Sequence, residues 1–238
     1  TYKKGNKIHL TKIPKFGDNY RLKGEDIKKN QQILEKGSKL NQQNINLIAA
    51  TGISKIKVFK KIKIGFFTSG NELRKPTKNL KNSEINNSNY YSLNNLLDKN
   101  FIEKKYCGNL KDNFKSIKNK IFNTSKKFNV IITAGGASVG DEDHLIKVLS
   151  EIGKVYFWRA AIKPGRPIAV GKINKCYIIC LPGNPVSVQL LYAMLVKPLI
   201  EKLSGGNFKL PSSSKITVNF SMNKKTKRME WLLSLIHI

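Results

Sequence analysis

The stretch Val130-Ile-Ile-Thr-Ala-Gly-Gly-Ala-Ser-Val-Gly-Asp-Glu-Asp143 holds residue types suited to a phosphorylated ligand. Gly135, Gly136 and Gly140 let backbone N–H groups approach a phosphate closely, and the dipole of a helix starting just beyond favours an anion. Asp141 and Asp143 carry the hard oxygens that hold a cation such as Mg2+ against that anion. The same residues also satisfy a plain glycine-rich strand-to-helix turn capped by Asp143. Further on, Ala160-Ala-Ile-Lys-Pro-Gly-Arg-Pro167 sets Lys163 and Arg166 three apart between prolines that limit the backbone. Fixed Lys and Arg side chains suit an oxyanion, although a solvated turn would look alike. In Leu181-Pro-Gly-Asn-Pro-Val-Ser187, Asn184 is a good helix cap and Pro185 fits the first helical position, which makes a second anion-friendly pole. Near the start, Phe16 to Ile27 is a polar, glycine-punctuated loop. It is either solvated or a device that brings Arg21 and Glu25 into a site on another segment. No covalent nucleophile stands out: Ser138 and Ser187 have no histidine beside them, and His9, His144 and His237 lie outside the other motifs.

These residues need strands and helices to hold them. Asn129 to Thr133 is a short apolar run bounded by glycine, which reads as a buried parallel strand. Lys61 to Phe67 and Lys154 to Trp158 read as strands, Phe101 to Cys107 as a short one, and Ile168–Val170 with Cys176–Cys180 as a hairpin. Helical patterns cover Ser88–Leu97, Phe114–Phe122 and His144–Ile152, and a long apolar helix runs from Pro185 towards Gly205-Gly206. Asn41 opens another that stops at Gly52. Alternation of strands and helices implies an α/β fold, a doubly wound and mostly parallel sheet with helices on both faces. Ligands in such sheets bind at the carboxyl ends of the strands. The expected organisation is an accessory region over 1–57, an α/β domain over 58–206, and a new unit over 207–238, with Lys215–Phe220 as a strand.

Composition narrows the classes. The chain has 238 residues, 40% of them hydrophobic, enough for a real core. No apolar run reaches the roughly 18 residues of a membrane span, so no membrane partner is expected. Net charge is 44 − 15 = +29, which ordinarily points to nucleic acid. Here only Arg21, Arg74, Arg159, Arg166 and Arg228 are arginines, and the lysines are spread along the chain with abundant Asn and Ile. An AT-rich coding sequence would produce that trio, so a dedicated nucleic-acid partner is not expected. Cys107, Cys176 and Cys180 form no CxxC pair. Strand alternation puts Cys176 and Cys180 on one face about 13 Å apart, too far to bridge. Reduced thiols and the lack of an apolar segment behind Thr1 imply a cytoplasmic protein. The absence of an initiator Met suggests a fragment.

Five motifs taken in order resemble the molybdopterin molybdenumtransferase family (MoeA and the E domain of gephyrin). They are Asn19-Tyr-Arg-Leu-Lys-Gly-Glu-Asp-Ile27, Thr68-Ser-Gly-Asn-Glu-Leu73, Ala134–Asp143, Ala161-Ile-Lys-Pro-Gly-Arg-Pro167 and Leu181–Ser187. The resemblance implies a molybdopterin-binding fold of the MoeA/MogA kind, and would make 1–57 a partial accessory region, 58–206 the catalytic domain and 207–238 the start of a β-barrel. The implied activity is insertion of molybdate into adenylylated molybdopterin, with release of AMP and use of Mg2+ or a similar divalent cation. It also implies a homodimer and contact with a molybdopterin adenylyltransferase. By the same resemblance Glu25, Asn71, Asp143, Lys163 and Arg166 are the catalytic candidates. Ser69, Gly70, Gly135, Gly136, Ser138, Gly140, Pro182, Gly183, Asn184, Pro185 and Ser187 would bind the ligand, and Asp141, Asp143 and Glu72 the metal. Asn71 stands where many members have Asp, which keeps an oxygen but loses a charge and shifts metal binding towards Glu72 or Asp141. The family also has a further domain before this region and a C-terminal β-barrel, so the chain alone is expected to be inactive or weak. The alternatives are an adenylyltransferase-like enzyme or a non-catalytic scaffold of the same fold.

Overall fold

The computed structural model describes all residues except 14, 78, 137–143, 209, 218, 222, 224–226 and 233–238. Two compact units divide the chain, Thr1–Ile56 and Lys57–Ile238. In the first, β1 (Tyr2–Lys4) and β2 (Lys7–His9) form an exposed hairpin around Gly5, whose φ of +60° suits a tight turn. The helix α1 (Gln42–Ala50) opens on a reciprocal cap: Asn41 Oδ1 accepts from Asn44 N at 2.8 Å, and Asn44 Oδ1 accepts from Asn41 N at 3.1 Å.

The second unit follows the alternation read from the sequence. In chain order it contains β3 (Ile62–Ser69), β4 (Leu73–Arg74), β5 (Ile85–Asn86), α2 (Ser88–Leu96), β6 (Ile102–Leu110), α3 (Phe114–Ser125), β7 (Val130–Ala134) and α4 (His144–Ile152). There follow β8 (Lys154–Trp158), β9 (Ile162–Lys163), β10 (Ala169–Ile173), β11 (Cys176–Leu181), α5 (Pro185–Leu191), a π-helical turn (Tyr192–Val196), α6 (Lys197–Leu203) and β12 (Met229–Glu230).

Six strands make one sheet in the order β6-β3-β7-β11-β10-β8. The first four are mutually parallel, and β10 is antiparallel to both β11 and β8. Strand alternation sorts the core into two layers. Ile62, Ile64, Phe66, Val130, Ile132, Ile179 and Leu181 face one cluster with Leu93 of α2 and Val188, Leu191 and Ile200 of α5 and α6. Phe67, Ile131, Ile178 and both Cys176 and Cys180 face the other, with Ile117 and Ile121 of α3 and Leu145, Val148 and Leu149 of α4. Helices thus cover both faces, and the sheet is doubly wound as expected. None of the three cysteines is in a disulfide.

Three expectations need correction. The strand over Phe101–Cys107 runs on to Leu110, because the pairing slips at Phe66/Thr68 and Gly108, at φ +103°, carries the chain through the irregularity. The long C-terminal helix is interrupted by the π turn, where Lys197 N bonds Tyr192 O. Pro198 lacks the N–H of the next regular bond, and its ring crowds the carbonyl four residues back. Residues 211–217 carry no regular structure, so the strand over Lys215–Phe220 does not form there. Its apolar side chains have no layer to enter: Ile216 is 81% exposed and Phe220 61%. Met229–Glu230 instead pairs in parallel with β9.

Candidate functional site

From β3 the chain reaches β6 through α2 on one face, and from β6 it returns past β3 to β7 through α3 on the other. The exit of β3 therefore leads to the first face and the exit of β7, through α4, to the second. That divergence between adjacent parallel strands is a topological switch point, where open α/β sheets form a crevice.

The residues there fit together closely. Gly135 follows β7 at φ +94°, and a Cβ on it would lie 2.3 Å from Ser69 O. A Cβ on Gly136 would meet Ser69 Oγ and Leu145 Cδ1, each at 2.8 Å. On the other flank Gly135 N donates to Leu181 O at 3.0 Å, and a Cβ on Gly183 would come within 3.7 Å of Gly135 Cα. Ser69-Gly70, Gly135-Gly136 and Leu181-Pro182-Gly183 are thus brought side by side at one edge. Asn184 caps α5, accepting from Val186 N at 2.9 Å and Ser187 N at 3.3 Å. Ser187 itself is buried.

At the exit of β3, Gly70 N donates to Leu110 O at 3.2 Å, and Gly70 O accepts from Asn109 Nδ2 at 2.7 Å. The Glu72 carboxylate folds over Gly70, since a Cβ there would be 2.5 Å from Glu72 Oε1. Asn71 Oδ1 accepts from Asp112 N at 3.4 Å, and Arg74 Nη1 donates to Asn71 O at 2.8 Å. Arg74 also pairs with Glu84 at 2.9 Å across the short β4–β5 ladder. A bond from Lys81 N, together with Arg74, holds the Glu84 carboxyl below its ordinary range.

The cationic loop shares this edge. Because β8 runs in the same direction as β11, Trp158 and the loop after it stand at the carboxyl ends of the parallel strands. Gly165 packs on α5, where a Cβ would touch the Leu191 side chain at 3.1 Å. Arg166 is exposed. Lys163 Nζ lies 3.5 Å from Glu230 Oε1, so part of its charge is answered by a carboxylate 67 residues later. Ser138, Gly140, Asp141 and Asp143 lie outside the described residues. Glu25 belongs to the first unit, where it accepts from Leu22 N at 2.9 Å, beside the Arg21–Asp26 pair at 2.9 Å. Among the described residues no group of three or more His, Cys, Asp or Glu is placed to hold a metal. Nor does a thiol offer a nucleophile: burial pushes Cys176 up to about 12, and Cys107 is raised for the same reason.

Sequence reasoning missed the residues that frame this crevice from outside the motifs. Asn87 caps α2 through Tyr90 N at 3.1 Å and donates from Nδ2 to Thr68 Oγ1 at 2.9 Å. Asn89 Nδ2 donates to Gly183 O at 2.7 Å. Asp112 follows the end of β6, beside Asn71. The run Asn86-Asn-Ser-Asn89 ahead of a helix is a capping signal, but its long-range partners are not visible in local pattern.

A family model described as a probable molybdopterin binding domain matches residues 65–202. A molybdopterin molybdenumtransferase of Haemophilus influenzae is 34% identical over 232 residues, which cover 97% of this chain and 57% of that protein. One from Nostoc sp. is 30% identical over 209 residues, covering 86% and 48%. A crystal structure of a molybdopterin biosynthesis MoeA protein from Pyrococcus horikoshii aligns at TM-score 0.67 and 32% identity, over 76% of this chain and 45% of the other. The chain spans about half the length of these relatives. Because the matched region takes in β6, β7 and β11 whole with most of β3, the strands whose ends form the crevice, the chain belongs to the family of probable molybdopterin binding domains.

Proposed function

We propose that this chain is the pterin-binding part of a molybdopterin molybdenumtransferase, which inserts molybdate into adenylylated molybdopterin and releases AMP. The observation that carries the reading is the meeting of three glycine-bearing loops, after β3, β7 and β11, at one switch point. Backbone approach there suits a pyrophosphate, and the capped N-terminus of α5 adds a favourable dipole. Ser69, Gly70, Gly135, Gly136, Ser138, Gly140 and Pro182 to Ser187 bind and orient the ligand. Lys163 and Arg166 stand at the same edge to receive molybdate or phosphate oxygens, with Lys163 held in reserve by Glu230.

A hard divalent cation fits the donors present: Glu72 offers a carboxylate directly over Gly70, and Asn71 a second oxygen beside it. Magnesium or a similar ion would be held by Glu72, Asp141 and Asp143 and would neutralise charge on the pyrophosphate. With no activated thiol or serine among the described residues of the crevice, water or a molybdate oxygen is the attacking group. In this reading the protein works in the cytoplasm as a homodimer, Glu25 acts from the accessory unit of one subunit on the site of the other, and a molybdopterin adenylyltransferase hands over the substrate.

The test supplies the full protein with adenylylated molybdopterin, with and without molybdate, and follows AMP. Molybdate-dependent release, depressed at least about 100-fold by Asp143→Asn, is expected for a group that holds the reacting phosphate or its cation. Consumption of molybdopterin and ATP instead would mark an adenylyltransferase.

A further inference from the structure

We infer that Asn89 is a positioning residue for the ligand: its amide holds the Leu181–Asn184 loop against the crevice from the first turn of α2. The inference rests on the functional reading above. Asn89 is 6% exposed, and its Nδ2 donates to Gly183 O at 2.7 Å across 94 residues of sequence. Its Oδ1 is buried and finds no hydrogen-bond partner among the described residues. Buried amide oxygens are nearly always paired, and one left alone is a standing cost to the fold. An apolar side chain of similar size would avoid that cost, so stability alone does not explain an asparagine here. What the amide adds is the N–H donor to Gly183.

Gly183 is where that donor matters. It precedes the cap of α5 and lies against Gly135. Two residues before Asn89, Asn87 ties the same turn of α2 to Thr68 of β3. The first turn of α2 therefore grips both walls of the crevice, with Gly135 between them. Loss of the Asn89 bond frees the carbonyl of Gly183 and lets the loop and the α5 N-terminus shift relative to Gly135. A shift on the scale of an ångström is enough to spoil orientation of a bound phosphate.

The test measures equilibrium binding of adenylylated molybdopterin to the full protein, the Asn89→Leu and Asn89→Ala variants, and an Ile121→Val control that lightens the core beneath α3. Asn89→Leu keeps the size and loses the donor without burying a charge, and alanine is a strong helix former that removes the whole amide. At least tenfold weaker binding is expected in both Asn89 variants, with melting temperatures no lower than that of Ile121→Val and unchanged affinity in that control. Wild-type affinity in either Asn89 variant overturns the inference alone. If wild type fails to bind the ligand, the functional reading falls first and takes this inference with it.

Discussion

Two glycines, Gly135 and Gly183, lie against each other at the crevice and make different demands. Gly135 combines φ +94° with a Cβ position 2.3 Å from Ser69 O, so alanine there brings both backbone strain and a clash with main chain that cannot yield. Gly183 has no neighbour nearer than 3.7 Å to that position. Chemical denaturation should find Gly135→Ala destabilised by about 3 kcal/mol or more and Gly183→Ala by less than about 1 kcal/mol. Equal effects would contradict the packing described. The need for glycine at 135 and 136 was legible in the sequence, because a strand running into Gly-Gly and then a helix leaves few other purposes for them. The environment of Lys163 was not: Glu230 answers it from 67 residues away, and nothing local announces such a pair. Asn89 escaped for the same reason.

At the scale of elements, β3, β6 and α2 are joined by one hydroxyl. Thr68 is fully buried, and its Oγ1 meets Tyr106 OH at 2.9 Å, Asn109 Oδ1 at 3.1 Å and Asn87 Nδ2 at 2.9 Å. Asn109 passes the constraint on to Gly70 O. Thr68→Val keeps the shape but takes the hydroxyl from one buried partner, Asn87, and two half-buried ones, Tyr106 and Asn109, at roughly 1–3 kcal/mol for each that water cannot reach. A loss of about 3 kcal/mol in unfolding free energy is expected. Ser69→Ala, which gives up only a 3.4 Å bond to Leu110 O, should lose under about 1 kcal/mol. Hydrophobic period and capping residues made most of these elements readable, down to His144–Ile152 and Lys154–Trp158 at their observed bounds. Departures occur where backbone geometry overrides side-chain pattern: the slip near Gly108, the π turn before Pro198, and a strand-like pattern after Pro211 with no sheet to join.

On the scale of the whole molecule, the +29 charge and the crevice make separate claims on an anionic ligand. Scattered lysines attract any polyanion, and that attraction collapses as salt rises because it depends on released counterions. A built crevice binds through fixed N–H groups and shape and keeps its place when salt is added. The most direct test is therefore a titration with adenylylated molybdopterin at about 0.2 M salt, where non-specific phosphate contacts are much weakened, followed by backbone-amide NMR. The largest shifts are expected at Gly70, Gly135, Gly136 and Gly183, from the exits of three different strands. Shifts confined to exposed lysines, or none at those four glycines, would contradict the claim that these loops form one site.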